Sequence, residues 1–310
     1  MIKPRAVLAG GSGFLGRLLT GDLLKRGYDV AVLARRQGAE VAGVKQMGWD
    51  GKNPGPWMEA LDGSTVLINL AGRSVDCRYH AANRRAIMDS RVDSTRVLGK
   101  AIQKCRRPPA VWLNSSTATI YKHSFDRPMD EAGEISATPE AKDAFSIAVA
   151  QAWEAALAEA DTPGTRKVAL RTAMVLGRSG GVFPVLRRLV KFGLGGAMAG
   201  GRQYVSWIHE TDFCEAIAWL IDREEMTGPV NVSAPNPVPN REMMQALRAV
   251  CDQRLGLPAS GRMLDVGAWL LRTETELIIK SRRVVPGRLL SAAFAFRFPQ
   301  IESAFRDLVV

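Results

Sequence analysis

The chain has 310 residues, 46% hydrophobic and 24% charged, a balance that excludes a disordered or fibrous chain and fits one large globular unit or two lobes. A formal net charge of +11 is compatible with a polyanionic ligand and equally with nucleic acid. The basic residues are spread rather than clustered, however, and no aromatic-rich basic platform stands out, so nucleic acid is disfavoured as a partner.

No apolar run is long enough to span a bilayer, and Met1-Ile2-Lys3-Pro4-Arg5 leads straight into the first predicted strand, so no membrane contact and a cytoplasmic location are expected. Cys77, Cys105, Cys214 and Cys251 are widely separated and lack histidine company; they read as reduced thiols, with no metal site.

The first predicted strand, Val7-Leu8-Ala9, runs through Gly10-Gly11-Ser12-Gly13 into a helix opening at Phe14-Leu15-Gly16. Gly11, Gly13 and Gly16 satisfy G-x-G-x-x-G, while Gly10, Gly13 and Gly16 satisfy G-x-x-G-x-x-G. Glycine permits the tight turn and a close backbone approach, and free amide N–H groups at the helix start face an anion with the macrodipole behind them. A second strand, Asp29 to Ala34, follows, so the unit reads as a dinucleotide-binding βαβ segment with Gly10, Gly11, Ser12, Gly13, Phe14, Leu15 and Gly16 around the pyrophosphate. That strand ends in Arg35-Arg36, where an acidic residue would receive the ribose hydroxyls of NAD. A guanidinium pairs bidentately with phosphate and stacks on adenine, so the expected cofactor is NADP(H).

Val44 to Trp49 reads as a short third strand and Trp57 to Leu61 as the start of a short helical segment. Thr65 to Gly72 is an apolar run ending in a small-residue turn, expected as a buried parallel strand, and its exit, Leu70-Ala71-Gly72-Arg73, is expected against the adenosine side of a ligand crevice. Ala81 to Lys104 carries a helical period. The strand Ala110 to Asn114 then runs into Ser115-Ser116-Thr117-Ala118-Thr119-Ile120-Tyr121, and an Ala-rich helix from about Glu140 to Ala160 leads to the strand Arg166 to Arg171. This alternation predicts an α/β fold, a doubly wound parallel sheet of Rossmann type.

Past Arg171 the spacing predicts a helix over Phe183 to Phe192, a glycine-rich loop over Gly193 to Gly201, and a strand over Tyr204 to His209. Thr211 or Asp212 then caps a helix through Ile221, and a strand at Val230 to Val232 precedes a helix opening near Asn240. The remainder, through Trp269, Leu289 and Phe305, reads as short helices of a smaller lobe. The expected division is a dinucleotide-binding domain over 1–176, with 204–234 returning to it, and a mainly helical substrate lobe over 177–203 and 235–310.

Several stretches together resemble the extended or atypical short-chain dehydrogenases/reductases, and more narrowly an NAD(P)-dependent epimerase-like family often labelled cell-division-inhibitor-like. They are Gly10 to Gly16, Ile68 to Gly72, Ser90 to Thr95, Trp153-Glu154, Leu170 to Gly177, Gly201 to Asp212 and Arg283 to Leu290. Ser115, Arg171 and Val175 complete the expected cofactor-binding set. Catalytic members of the superfamily place a tyrosine and a lysine four residues apart on one helix face, with a serine or threonine on the preceding strand. Counting back from Glu154, those positions fall on Ser146 and Ala150, and neither can do that work.

Thr117 falls where the strand-end hydroxyl sits and Tyr121 offers a phenol nearby, so these two are the catalytic candidates. Arg91, in the approximate place of a helix asparagine, and His209 are the candidates for substrate contact. Each has a structural alternative: Arg91 as a surface cation or ion-pair partner, His209 as a hinge residue bonded to backbone. Trp207 is expected in the core, and Lys142 and Asp143 in solvent. The expected function is an NADP(H)-binding oxidoreductase or epimerase-like enzyme acting on an unidentified small molecule. The alternatives are a non-catalytic NADPH-responsive regulator, favoured by the missing tyrosine and lysine, and a nucleic-acid-associated protein, supported by net charge alone. Either a monomer or an oligomer is compatible with these features.

Overall fold

The structure is a computed structural model that describes residues 3–261, 263 and 276–310. The chain start at Met1-Ile2 and Trp269 lie outside the described residues. Strand β1 (Arg5–Ala9) sends Ala6 and Leu8 to one face of the main sheet and Val7 and Ala9 to the other, all fully buried. Burial on both faces is why a parallel strand reads as an unbroken apolar run.

Around β1 the chain lays down β2 (Asp29–Ala34), β3 (Glu40–Val41), β4 (Val44–Gly48), β5 (Val66–Asn69), β6 (Val111–Thr117) and β7 (Arg166–Thr172). With a later strand, β12 (Gly228–Val232), they form an eight-stranded sheet in the order β12-β7-β6-β5-β1-β2-β4-β3. Every pairing in it is parallel except β3 with β4. The order reverses between β1 and β5. In an open parallel sheet this switch point, at the carboxyl ends of the strands, is where a crevice opens.

Helix α1 (Phe14–Lys25) covers one face through Leu19 and Leu23. On the other face lies α2 (Ala81–Gln103), with Val97, Leu98 and Ile102 packed on Trp112. Helix α3 (Ala144–Glu159) adds Leu157 to the same cluster. The chain is therefore an α/β doubly wound fold with a mainly parallel sheet, as the alternation predicts.

Beyond β7 the strand β8 (Met174–Gly177) leaves the main sheet, turns back through β9 (Gly180–Gly181) and precedes α4 (Phe183–Lys191). The segment Tyr204 to His209 is two strands rather than one. β10 (Tyr204–Val205) pairs with β13 (Val238–Pro239), while β11 (Trp207–His209) pairs with β8. Ser206, between them, accepts from the backbone N–H of Val284 and donates to the carbonyl of Arg282, which diverts the chain from one small sheet to the other.

Of residues 204–234, β12 joins the main sheet, whereas β10 and β11 belong to small sheets of their own. Conversely, Leu289 and Phe294 pack in the cluster that α1 makes on the sheet, so this part of the C-terminal tail leaves the smaller lobe. A second core, with Phe183, Trp207, Met244, Leu247 and Phe305, holds that lobe together, and Trp207 is fully buried there as expected.

The cap of α5 (Glu210–Asp222) is His209, whose Nδ1 accepts from the Thr211 N–H at 3.1 Å. Asp212 instead receives the backbone N–H groups of Arg297 and Phe298. Lys142 is exposed, but Asp143 is fully buried 2.6 Å from Lys280, correcting its expected place in solvent. The partner lies 137 positions away in the sequence, beyond the reach of any local pattern. Among the described residues no helix is long and apolar enough to cross a membrane, and no group of His, Cys, Asp or Glu is arranged to hold a metal ion. All four cysteines are free.

Candidate functional site

The glycine turn sits at the switch point. Gly10 has φ +76°, and a Cβ there would lie 2.7 Å from the backbone of Ala71 in the β5 exit loop. A Cβ on Gly16 would lie 2.1 Å from the carbonyl oxygen of Gly11, so only glycine lets α1 pack this closely on its own turn. Gly13 differs: nothing lies within 4 Å of where its Cβ would be, and it precedes the first residue of α1 with no side chain capping the helix. The first amides of α1 are therefore presented to open space, the arrangement that holds an anion. Gly11 is buried, with Val32 and Leu8 against it, and supports the turn from behind.

Two connected clefts meet at this turn. One, of about 700 Å³, includes Ser12, Arg35, Leu70, Ala71, Gly72 and Arg73, with Asp50 and Lys52 from the loop after β4. Arg35 lines it, exposed, as its place at the end of β2 implies. Arg36 is exposed and is absent from either wall. Lys52 adds a cation beyond Arg35 and Arg73 that sequence reasoning missed, carried by a loop closed on the Asp50 carboxylate, which accepts the N–H groups of Lys52 and Asn53 at 2.9 Å each. Those bonds hold the Asp50 carboxyl below the usual range. Asp76, Asp89 and Asp93 also line this end, and Asp93 lies 3.8 Å from Lys52.

The exit loop of β5 is fixed by an amide that local patterns do not single out. Asn69, fully buried, donates to Asn114 Oδ1 at 2.7 Å and accepts the Ala71 N–H at 3.0 Å. A buried polar side chain persists only when its bonds are satisfied, and here their satisfaction sets the loop that Gly10 touches.

The other cleft, of about 520 Å³, runs from Gly10, Gly13, Phe14, Leu15 and Gly16 to Ser115, Ser116 and Thr117 at the end of β6. Val175 and Gly181 close one side, where the β8–β9 hairpin packs on Phe14; Cβ atoms on Gly177 or Gly180 would lie 2.3 Å from its ring. The opposite wall is Tyr79, Arg91, Phe145, Ser146 and Trp153. The structure thus brings Ser115, Thr117, Val175 and Arg91 to the same space as the glycine turn. Thr117 also accepts the Thr119 N–H through Oγ1 at 3.1 Å, which leaves its hydroxyl proton to be directed elsewhere.

Arg91 has no carboxylate partner among the described residues. Its Nη1 donates to the carbonyls of Ile87 at 2.9 Å and Arg73 at 3.2 Å, and its guanidinium lies 5.1 Å from the Trp153 ring centre. Burial pulls its pKa down to about 10, because a cation out of water with no anion beside it is disfavoured.

Besides Arg36 and Gly11, three expected site residues lie off the cleft walls. Tyr121 is 1% exposed, donating to Asn231 Oδ1 and accepting from Arg171 Nη1, and burial pushes its phenol up to about 12. Arg171 makes two 2.8 Å bonds to Glu154 and is absent from the cleft walls; burial alone would lower its pKa, but Glu154 and Tyr121 reverse this and raise it. Its two bonds to Glu154 turn the guanidinium away from the cleft in which cofactor contact is expected. His209 is fully buried as the α5 cap, with Nε2 3.3 Å from Asp307, and burial drives its pKa down to about 4 despite that aspartate. Ala150, at the expected lysine position, is packed in an apolar cluster with Tyr121 and Val284. Glu154 also accepts from Ser116 Oγ at 2.5 Å, so the same carboxylate ties the β6 end to Arg171.

A parallel sheet with a glycine-rich βαβ turn at its switch point, and clefts opening on both sides of that turn, defines a dinucleotide-binding protein of Rossmann type. Residues 6–233 match the model of the NAD dependent epimerase/dehydratase family, and 263–308 match a domain of unknown function, DUF1731. The chain belongs to the NAD-dependent epimerase/dehydratase family. It is 31% identical over 303 residues to the epimerase family protein YfhF of Bacillus subtilis, covering 97% of each chain. It is also 29% identical to the human epimerase family protein SDR39U1, covering 98% of this chain and 99% of that one. A crystal structure of human SDR39U1 with NADPH superposes with a TM-score of 0.84 at 26% identity, covering 98% of both chains. The nucleoside-diphosphate sugar epimerase of Corynebacterium glutamicum gives a TM-score of 0.76 at 28% identity, over 98% of this chain and 57% of that one.

Proposed function

We propose that the chain is an NADP(H)-dependent oxidoreductase or epimerase-like enzyme acting on a small molecule. The observation that carries this reading is the run of open space from Arg35, past the bare amides of Gly13 and Phe14, to the hydroxyls of Ser115 and Thr117. It has a cation at the end where a 2′-phosphate would lie, free N–H donors where a diphosphate would lie, and hydroxyls where a nicotinamide would lie. The human SDR39U1 structure with NADPH supports NADPH over NADH for the same ground.

In this reading Gly10 to Gly16 hold the diphosphate, Arg35 with Lys52 takes the 2′-phosphate, and Leu70 to Arg73 form the floor beneath the adenosine. Arg91 lines the same cleft beside Trp153, while Ser115, Thr117 and Val175 border the reacting ring. A bound nicotinamide supplies redox chemistry to a carbonyl or alcohol carbon. The β8–β9 hairpin and Trp153 narrow the space around it and restrict water. The proposed setting is the cytoplasm, with a small molecule as the partner.

The test is to saturate the protein with NADPH and follow nicotinamide absorbance against aldehydes, ketones and nucleotide sugars. Loss of absorbance with one class identifies the enzyme and its substrate type. NADPH binding with no absorbance change and no interconversion of nucleotide-sugar epimers across a wide panel moves the account to the regulator alternative, which the apolar packing at Ala150 favours.

A further inference from the structure

The cleft that runs from the glycine turn to Thr117 carries two cations, Arg73 and Arg91, and no aspartate or glutamate among its described lining. The aspartates of this region, Asp50, Asp76, Asp89 and Asp93, line the neighbouring cleft instead. Arg73 is exposed and spends Nη2 on the Asn83 side chain at 2.8 Å. Arg91 stands on the wall opposite the glycine turn, in the company of Ile87, Phe145, Val149 and Trp153.

The Arg91 guanidinium is held by one corner. Nη1 donates to the carbonyls of Ile87 and Arg73, and the Trp153 ring centre lies 5.1 Å from Cζ. Nε and Nη2 make no hydrogen bond among the described residues, and neither is among their sealed polar atoms, so this edge is accessible from the cleft that Arg91 lines. Nε and Nη2 are the two donors that meet both oxygens of a carboxylate side-on. Gly72 keeps room for them: its backbone is not left-handed, but a Cβ there would lie 3.2 Å from Cζ, 3.4 Å from Nη2 and 3.5 Å from Nε. Burial without a counter-charge lowers the pKa of Arg91, yet at about 10 it stays a cation at neutral pH. An anion arriving through the cleft supplies the charge that the fold leaves out.

We propose that Arg91 is the carboxylate-binding residue of this cleft, so that the small molecule taken there is a carbonyl or alcohol compound bearing a carboxylate on an apolar body. Calling that molecule a substrate rests on the NADP(H) reading above. The diphosphate of a dinucleotide has its own donors in the bare amides at Gly13 and Phe14, across the cleft from Arg91. A carboxylate suits the site better than a phosphoryl group, because one guanidinium edge offers two donors and a single charge while Arg73 is engaged with Asn83. Ile87, Phe145, Val149 and Trp153 receive the apolar body, and the reacting carbon lies towards Ser115 and Thr117.

The test needs no turnover. Phenylacetate, its neutral isostere phenylacetamide and phenyl phosphate are titrated by NMR into wild type, Arg91→Gln and Arg91→Lys, each with and without saturating NADPH. Wild type is expected to bind phenylacetate with a Kd on the order of 1 mM, and about 10-fold or more tightly than the amide. Arg91→Gln is expected to erase that preference, and Arg91→Lys, which keeps the charge without the paired donors, to restore only part of it. NADPH affinity is expected to stay within about 3-fold in both variants. Equal binding of acid and amide by wild type, or no carboxylate binding up to about 10 mM, overturns the proposal without recourse to any variant. An acid preference that survives in Arg91→Gln overturns it too. So does a loss of NADPH affinity of about 10-fold or more in that variant, which assigns Arg91 to the cofactor. With NADPH bound, tighter binding of phenyl phosphate than of phenylacetate overturns the class proposed. The titrations without NADPH keep the two levels apart: if wild type binds no NADPH the dinucleotide reading fails, while the acid-to-amide ratio still decides the Arg91 site.

Discussion

The two ends of the cleft are built in opposite ways. The end at the glycine turn comes from one βαβ unit, with Gly10 to Gly16 and Arg35 close together in the chain. The far end takes Tyr79, Arg91, Thr117, Ser146 and Val175 from separate elements that meet only when the sheet is wound. A site made by local backbone geometry is legible in local sequence. One made by packing becomes visible with the fold.

The sharpest way to break this comparison is to cut the scaffold behind the far end. Arg171→Met leaves the partly buried carboxylate of Glu154 deprived of its ion pair, and is expected to cost about 1.5–3 kcal/mol of stability in a denaturant melt, the range of hydrogen bonds to a charged group. A loss below about 1 kcal/mol would show that the pair is dispensable, since that is the range of an exposed ion pair. At the near end, Gly16→Ala drives a Cβ into the Gly11 carbonyl and is expected to cost about 1–3 kcal/mol and to weaken cofactor binding together with stability. Gly13→Ala separates the two effects, because the new methyl enters open space. It should lower dinucleotide affinity with the melting temperature nearly unchanged, and equal losses in both would contradict the division.

Reversing the charge at Arg35 is a smaller and more selective change. Arg35→Glu is expected to weaken NADPH by roughly 10- to 100-fold, the loss of a charged hydrogen bond of about 1.5–3 kcal/mol, with little effect on NADH. Parallel loss for both would move the 2′-phosphate elsewhere, Lys52 being the nearest alternative.

An acid-side effect concerns the lobe core. His209 titrates at about 4 in the folded chain, below its ordinary value of 6.5, so the unfolded chain binds the proton more readily. Its contribution is fully present above about pH 6.5 and is lost as pH falls from there toward about 4. His209→Gln should flatten that acid-side slope in melts between pH 7 and pH 4. An unchanged slope would assign it to the carboxylates.

The same contrast explains what the sequence discloses. The parallel sheet and the glycine turn follow from apolar runs and spacing, and so does Trp207 in the core. Tyr121 and Arg171 look equally well placed in the linear pattern, because both stand at strand ends near the hydroxyl cluster. Their real partners, Asn231 and Glu154, lie on other elements, and the bonds among them turn both side chains away from the cleft. Tyr79 shows the reverse. It stands in an unremarkable stretch before a helix, and only the winding of α2 and α3 on the sheet brings it opposite Thr117. Lys280 with Asp143 and His209 with Asp307 follow the same logic, since an ion pair and a polar contact that join the tail to the rest leave no periodic trace.

The central claim is that the cleft spanning Arg35 to Thr117 takes NADP(H). The most direct measurement is a calorimetric titration of the wild-type protein with NADPH and with NADH in the same buffer. The account predicts one site per chain with NADPH bound at least 10-fold more tightly, on the order of the charged contact at Arg35. Equal affinity for the two would contradict the cofactor assignment, and binding of neither would contradict the reading of the cleft.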